Sequence, residues 1–160
     1  MGTFGFSYIG LIYLLMLFIP NGFWARNKPL DYDSSGENRT LLLLERIGQV
    51  CCSVTTLLFK DTNPQGWEPW LIWFFLSFTL MLAYLGFWLR YFYGPHSLAD
   101  FYRPFLFVPV PGATLPVLAF FLLGIYGKLI YLIVAAIILG IGHIGIHIQH
   151  YKKLLKEGKL

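Results

Sequence analysis

The stretch FLFVPVPGATLPVLAFFLLGIYG, residues 105–127, decides how this chain folds. It is strongly apolar, yet Pro109 and Pro111 exclude a regular helix at its start, because proline lacks an N–H and its ring clashes with the preceding turn. Thr114 suits the N-cap position, and Pro116 is tolerated in a first turn. We therefore predict a helix over about 114–126, of only about a dozen residues or about 18 Å.

A helix of that length cannot cross a bilayer alone, because the hydrocarbon core is about 30 Å thick and needs about 20 apolar residues. The proline segment is therefore predicted to enter the membrane as extended chain. Irregular backbone at such depth persists only where it is buried in protein or lines a cavity. The interrupted crossing thus predicts a binding site. The alternative is a proline-kinked helix that is packed for structural reasons and binds nothing.

Four longer apolar runs accompany this segment. The 160 residues are 57% hydrophobic and 12% charged, whereas soluble proteins carry about 25% charged residues. The runs predict crossings over about 4–24, 41–59, 67–91 and 129–151, and the spacing of Ser97 and Asp100 predicts a short interfacial helix over about 98–103. The predicted fold is an all-α integral membrane protein: one transmembrane domain over 1–160, built as a five-helix bundle with a discontinuous fourth crossing.

The basic residues lie mainly on one side of this topology. Ten of the twelve fall on one side, and only Lys60 and Lys128 fall on the other. Because Lys and Arg accumulate on the cytoplasmic face, the N-terminus is predicted outside and the C-terminus cytoplasmic, in a multi-pass protein of the cell membrane. The net charge of +4 then indicates contact with membrane lipids, and no nucleic-acid partner is expected. The ten residues are Arg26, Lys28, Arg39, Arg46, Arg90, Arg103, Lys152, Lys153, Lys156 and Lys159.

Two motifs have simple explanations in this topology. Asn38-Arg39-Thr40 fits a glycosylation pattern, but it falls on the predicted cytoplasmic side, where it would not be modified. Gly140, Gly142 and Gly145 match the spacing of a dinucleotide-binding loop, but they lie within an apolar run instead of following a strand. Small residues of this kind allow another helix to approach closely, so a homo-oligomer through this face is one prediction.

Three histidines of the last crossing share one helix face. His143, His147 and His150 are spaced four and three apart, and His143 lies about 13 Å of helix inside Lys152. Ionisable groups at such depth usually face the bundle or a wet cavity. One interpretation makes His143 and His147 catalytic, by general acid–base chemistry or as a proton relay. A second is haem ligation, or a zinc site formed with His96 and Asp100. A third is structural hydrogen bonding.

Other polar groups near the same side complete a candidate binding site. Glu45 lies about one turn inside the second crossing and needs a partner. That partner is predicted to be a neighbouring arginine, a substrate or one of the three histidines. Counting from Gly127 places Thr114 level with His143, so the free N–H groups of the short helix would face the imidazoles and attract an anion. The predicted substrate-binding residues are Arg90, Arg103, Thr114, Glu45 and Arg46.

These features predict an intramembrane polar site near the cytoplasmic leaflet, and three functions fit it. The first is a small membrane enzyme that acts on a lipid or another amphipathic anionic substrate. The second is a small transporter or channel subunit that uses the interrupted helix as its binding element. The third is a non-catalytic accessory protein whose glycine face and basic tail dock a partner.

The predicted orientation is tested with single cysteines. In a chain whose Cys51 and Cys52 are serine, we expect a membrane-impermeant maleimide to label Gln65→Cys in intact cells. Lys159→Cys should be labelled only after lysis, because the basic side faces the cytoplasm. Labelling of the Lys159 variant from outside would invert the topology.

Overall fold

The computed structural model describes residues 2–29 and 31–160, and within these ranges the chain is helical with no strands. The helices are α1 (Tyr8–Arg26), α2 (Arg39–Leu58), α3 (Ile72–Phe92), α4 (Leu98–Tyr102), α5 (Pro111–Tyr126) and α6 (Ile130–Lys156). Helices α1, α2, α6 and the segment Pro69–Phe92, which contains α3, are long and apolar enough to cross a membrane, whereas α5 is a shorter apolar helix. The predicted all-α membrane bundle is confirmed, and α5 is its shorter fourth crossing.

Helices α2, α6, α5 and α3 form a continuous packed row, and α1 contacts α2 and α3. The contact between α2 and α6 depends on glycine. A Cβ atom at Gly48 of α2 would overlap the backbone of Leu139, and one at Gly142 of α6 would overlap the backbone of Glu45. These two helices therefore touch backbone to backbone.

The remaining glycines of the α6 face also contact this chain's own helices. A Cβ atom at Gly145 would meet the side chain of Leu41 in α2, and one at Gly140 would meet Val117 in α5. A second copy could use this face only by displacing α2 and α5. The homo-oligomer through these glycines stays a prediction.

The hairpin of α5 and α6 has the register that the sequence predicts. Gly124 lies against Ile133, and Val117 lies against Gly140. Continuing that antiparallel register places Thr114 of α5 level with His143 of α6.

Helix α5 begins at Pro111, three residues before the predicted start, so the prediction of Thr114 as N-cap is wrong. Val110 adopts a left-handed conformation (φ 43°), which turns the chain into the helix and leaves Pro111 in the first turn, where its missing N–H costs nothing. The Thr114 hydroxyl instead donates to the carbonyl of Pro109 at 3.0 Å. The helix of 16 residues is about 24 Å long, still shorter than a bilayer core.

The segment before α5 forms a tight turn, so the prediction of extended chain is wrong. Phe105 and Val108 exchange backbone hydrogen bonds of 3.2 and 2.9 Å. Between them Leu106 (φ 50°) and Phe107 (φ 63°) are both left-handed, as in a type I′ turn. Their side chains are exposed, Phe107 completely. The fourth crossing is interrupted by a turn with an apolar tip.

Helix α1 begins at Tyr8, later than the predicted residue 4, because the preceding segment is attached to the end of α2. Phe4 forms an isolated antiparallel bridge with Phe59. The buried Ser7 is the N-cap: its Oγ accepts from the Gly10 N–H at 2.7 Å and lies 2.6 Å from the Thr62 hydroxyl. The start of α1 is therefore held to the connection that follows α2.

The turn at Leu106 and Phe107 yields a stability prediction. Left-handed backbone costs a residue with a side chain roughly 1–2 kcal/mol, and Asn-Gly is the preferred pair for this turn. The double variant L106N/F107G should therefore raise the thermal unfolding midpoint in nanodiscs. L106A/F107A, which removes the same apolar tip but keeps the strain, should not. A lower midpoint for L106N/F107G would show that insertion of the apolar tip into the bilayer stabilises the protein by more than the backbone strain destabilises it.

Candidate functional site

A cleft of about 270 Å³ lies between α1 and α2, with α5 and α6 also contributing to its wall. Most of its lining is apolar. His143, Glu45, Gln49, Asn21 and Lys28 supply the polar and charged groups. The apolar lining residues are Leu17, Phe18, Trp24, Ala25, Pro116, Val117, Phe120 and Leu139.

A histidine–carboxylate pair forms the polar part of this wall. His143 Nδ1 and Glu45 Oε1 are 2.5 Å apart, and the two side chains are 26% and 23% exposed. The pair forms because Gly142, next to His143, lets α6 touch the α2 backbone at Glu45. A carboxylate on Nδ1 orients the ring and leaves Nε2 free to exchange a proton. Glu45 is thus paired with the histidine row instead of an arginine, while Arg46 is exposed.

The other two histidines of α6 also have partners. His147 Nδ1 lies 3.0 Å from the hydroxyl of Tyr102 in α4. His150 Nε2 lies 2.9 Å from Glu37 Oε1, and the Tyr32 hydroxyl donates to the same carboxylate oxygen at 3.2 Å. Each imidazole therefore has one nitrogen bonded to a side chain from another part of the fold.

The two tyrosines of this network are neutral at pH 7. Burial raises the pKa of Tyr32, and the negative charge of Glu37 raises it further. Burial likewise raises the pKa of Tyr102, with smaller contributions from Tyr32 and Glu37. The contribution of Glu37 to both shifts indicates that the three side chains share one environment.

The structure does not assemble the predicted zinc ligands. His96 Nε2 lies 2.8 Å from the carbonyl of Phe92, and the Asp100 carboxylate lies against Gly94. Throughout residues 2–29 and 31–160, no group of three or more His, Cys, Asp or Glu side chains could hold a metal ion.

The arginines predicted to bind substrate have different surroundings. The guanidinium of Arg90 donates to the carbonyls of Asp100, Arg103 and Pro104 at 2.8, 3.2 and 3.1 Å, which fixes the end of α4 to α3. The side chain of Arg103 is exposed. Neither residue lines the cleft.

The start of α5 is occupied by groups of the chain itself. The N–H groups of Ala113 and Thr114 both donate to the carbonyl of Val110 at 3.0 Å. A Cβ atom at Gly112 would meet the rings of Phe87 and Phe101. Aromatic side chains and internal hydrogen bonds therefore surround this helix end, and the anion site predicted there stays a prediction.

Several site residues were not predicted. Lys28 lines the cleft and lies 5.4 Å from the ring centroids of both Trp24 and Tyr32. Asn21, also in the cleft, donates to the Tyr84 hydroxyl at 2.8 Å. An amide within an apolar run is a detectable signal. The sequence around Lys28 carries no such signal apart from its charge, because the position of Lys28 in the cleft depends on how α1 packs.

Comparison with known proteins gave no match to a protein-family model, to a curated protein or to a solved structure.

The glycine contact behind the His143–Glu45 pair can be tested. Gly142→Ala should destabilise the protein by about 1–3 kcal/mol, because the new methyl group overlaps the α2 backbone. Gly22→Ala in α1 is the matched control: no atom lies within 4 Å of its added Cβ, so its stability should hold or rise. The measurement is the thermal unfolding midpoint in nanodiscs. Equal midpoints for the two variants would contradict the close contact.

Proposed function

We propose that this chain is a membrane enzyme that carries out general acid–base chemistry on the polar group of an amphipathic anionic substrate in the cleft. His143 exchanges the proton, and Glu45 orients its ring. The observation that supports this proposal is the 2.5 Å pair of His143 and Glu45 in the wall of a mainly apolar cleft.

The lining of the cleft favours a substrate with a hydrocarbon tail. Leu17 and Phe18 of α1 face the same space as Phe120 of α5 and Leu139 of α6. Such a surface binds an acyl chain through the hydrophobic effect and excludes water from the reacting group. Because both helices beside the cleft are predicted to cross the bilayer, the substrate would enter directly from the lipid.

Lys28 gives the cleft its selectivity for charge. Among the lining residues that the structure describes, Lys28 and His143 are the two basic ones. Lysine binds phosphate and carboxylate groups as a compact point charge. In this proposal Lys28 takes the role that the sequence assigned to Arg90 and Arg103.

Of the two predicted catalytic histidines, His143 fits the role better. It lines the cleft and has a carboxylate on Nδ1. His147 is not part of the lining; it bonds Tyr102, with its ring centroid 4.6 Å from that of His143. We therefore assign proton exchange with the substrate to His143 alone.

The proposal is tested with purified protein in phosphatidylcholine vesicles that carry phosphatidic acid, lysophosphatidic acid and phosphatidylglycerol. Mass spectrometry of the lipids should detect a product formed from an anionic lipid. His143→Gln should reduce its rate by about 10²–10⁴-fold, because a positioned histidine typically contributes that much. His96→Gln is the matched control and should keep full turnover. The side chain of His96 is exposed, and its ring bonds only the Phe92 carbonyl.

Other results would support the other functions. Full turnover by His143→Gln would remove the catalytic role. Absence of any lipid product, together with solute flux that depends on His143, would indicate a transporter. Absence of both, with one protein bound in stoichiometric amount, would indicate an accessory subunit.

A further inference from the structure

Five ionisable side chains outside the cleft have no role in the proposed chemistry: His147, Tyr102, His150, Glu37 and Tyr32. We propose that His147, Tyr102, His150 and Glu37 form a proton path between His143 and the water at the basic end of the bundle. This inference rests on the proposed function, because it supplies the proton that His143 exchanges with substrate.

The inner part of the path consists of close contacts. The ring centroids of His143 and His147 are 4.6 Å apart, so rotation of the His147 ring would bring one of its nitrogens toward the Nε2 atom of His143. His147 Nδ1 is already 3.0 Å from the Tyr102 hydroxyl. The ring of Phe101 is a further neighbour of His147, with centroids 5.9 Å apart. The His147 ring thus lies among the side chains of His143, Tyr102 and Phe101.

The outer part leads to the surface. The rings of Tyr102 and His150 are stacked with centroids 6.0 Å apart, and His150 bonds Glu37 at 2.9 Å. His150 and Glu37 line a polar cavity of about 410 Å³ together with Asp33, Gln149 and Lys153. Because the side chains of Asp33, Gln149 and Lys153 are exposed, this end of the path opens to the surface of the protein.

The proton balance closes at every step. His143 Nε2 takes the proton that leaves the substrate, and the ring becomes an imidazolium. That proton passes to Nε2 of His147, and the proton on His147 Nδ1 moves to the Tyr102 oxygen. The original Tyr102 hydroxyl proton leaves toward His150, whose ring is stacked on that of Tyr102, and so reaches the pair of His150 and Glu37. The pair releases a proton to water. His147 is then left with its proton on Nε2. A turn of the His147 ring, which presents Nε2–H to Tyr102 and the bare Nδ1 to His143, together with a turn of the Tyr102 hydroxyl, prepares the path for the next proton. Delivery of a proton to the substrate is the reverse.

The arrangement fits what a bilayer demands of ionisable groups. Such groups are rare within membranes, face the bundle interior when they occur, and commonly form proton relays. Here they lie on one face of α6, four and three residues apart, and each is bonded to a partner from another element. A single helix thus connects the cleft to the aqueous cavity.

The path is tested without substrate, by the exchange rate of the His143 ring N–H with water. It is measured by NMR on protein with ¹⁵N-labelled histidine in nanodiscs, and the signal is assigned by its loss in His143→Gln. Tyr102→Phe removes only the hydroxyl and should slow exchange by up to about tenfold, the factor that corresponds to one lost hydrogen bond. Glu37→Gln should slow it as well. Tyr93→Phe, at a residue that is 89% exposed, should leave it unchanged.

Exchange as fast in Tyr102→Phe as in the unaltered protein would overturn the path, because water would then reach His143 through the cleft. That result leaves the proposed enzyme intact, since turnover and its loss in His143→Gln are measured separately. Slow exchange in Tyr102→Phe, in a protein whose turnover does not need His143, would reject the enzyme and retain the proton path.

Discussion

The backbone contact between α2 and α6 is the constraint on which the site depends. Within a lipid bilayer the hydrophobic effect does not drive two apolar helices together. Close packing and hydrogen bonds between the helices must therefore stabilise their association. Gly48 and Gly142 supply the packing, and Glu45 and His143 supply the bond, all within one short stretch of the interface. A larger residue at either glycine would separate the two helices and, with them, the bonded side chains of His143 and Glu45. Stability and the candidate chemistry therefore depend on the same few atoms.

The start of the fourth crossing is held in place by contacts with other parts of the fold. The carbonyl of Val110 and the rings of Phe87 and Phe101 occupy the start of α5, so this helix end is a structural joint. Arg90 fixes that joint further by holding the carbonyls that follow α4. The joint matters to the site because it sets the position of α4, and α4 brings Tyr102 to His147.

Much of the fold could be predicted, because hydropathy and turn residues are local properties. Long apolar runs gave the helices, and the short turn at Gly127 gave the register of α5 against α6. The partner of Glu45 could not be predicted, since it depends on which helices lie side by side, and hydropathy carries no such information. The left-handed turns at Leu106, Phe107 and Val110 were also missed, because these residue types disfavour that conformation and give no local signal. The histidine face was visible from spacing alone, but its partners lie in distant loops, and only tertiary packing brings them there.

Helix α6 has 27 residues and is about 40 Å long, so roughly 10 Å of it extends beyond a hydrocarbon layer of about 30 Å. Its three imidazoles lie at different heights along this helix, and each meets a different partner: Glu45, Tyr102 and Glu37. A continuous rod that is longer than the hydrocarbon layer thus gives one kind of residue three different surroundings.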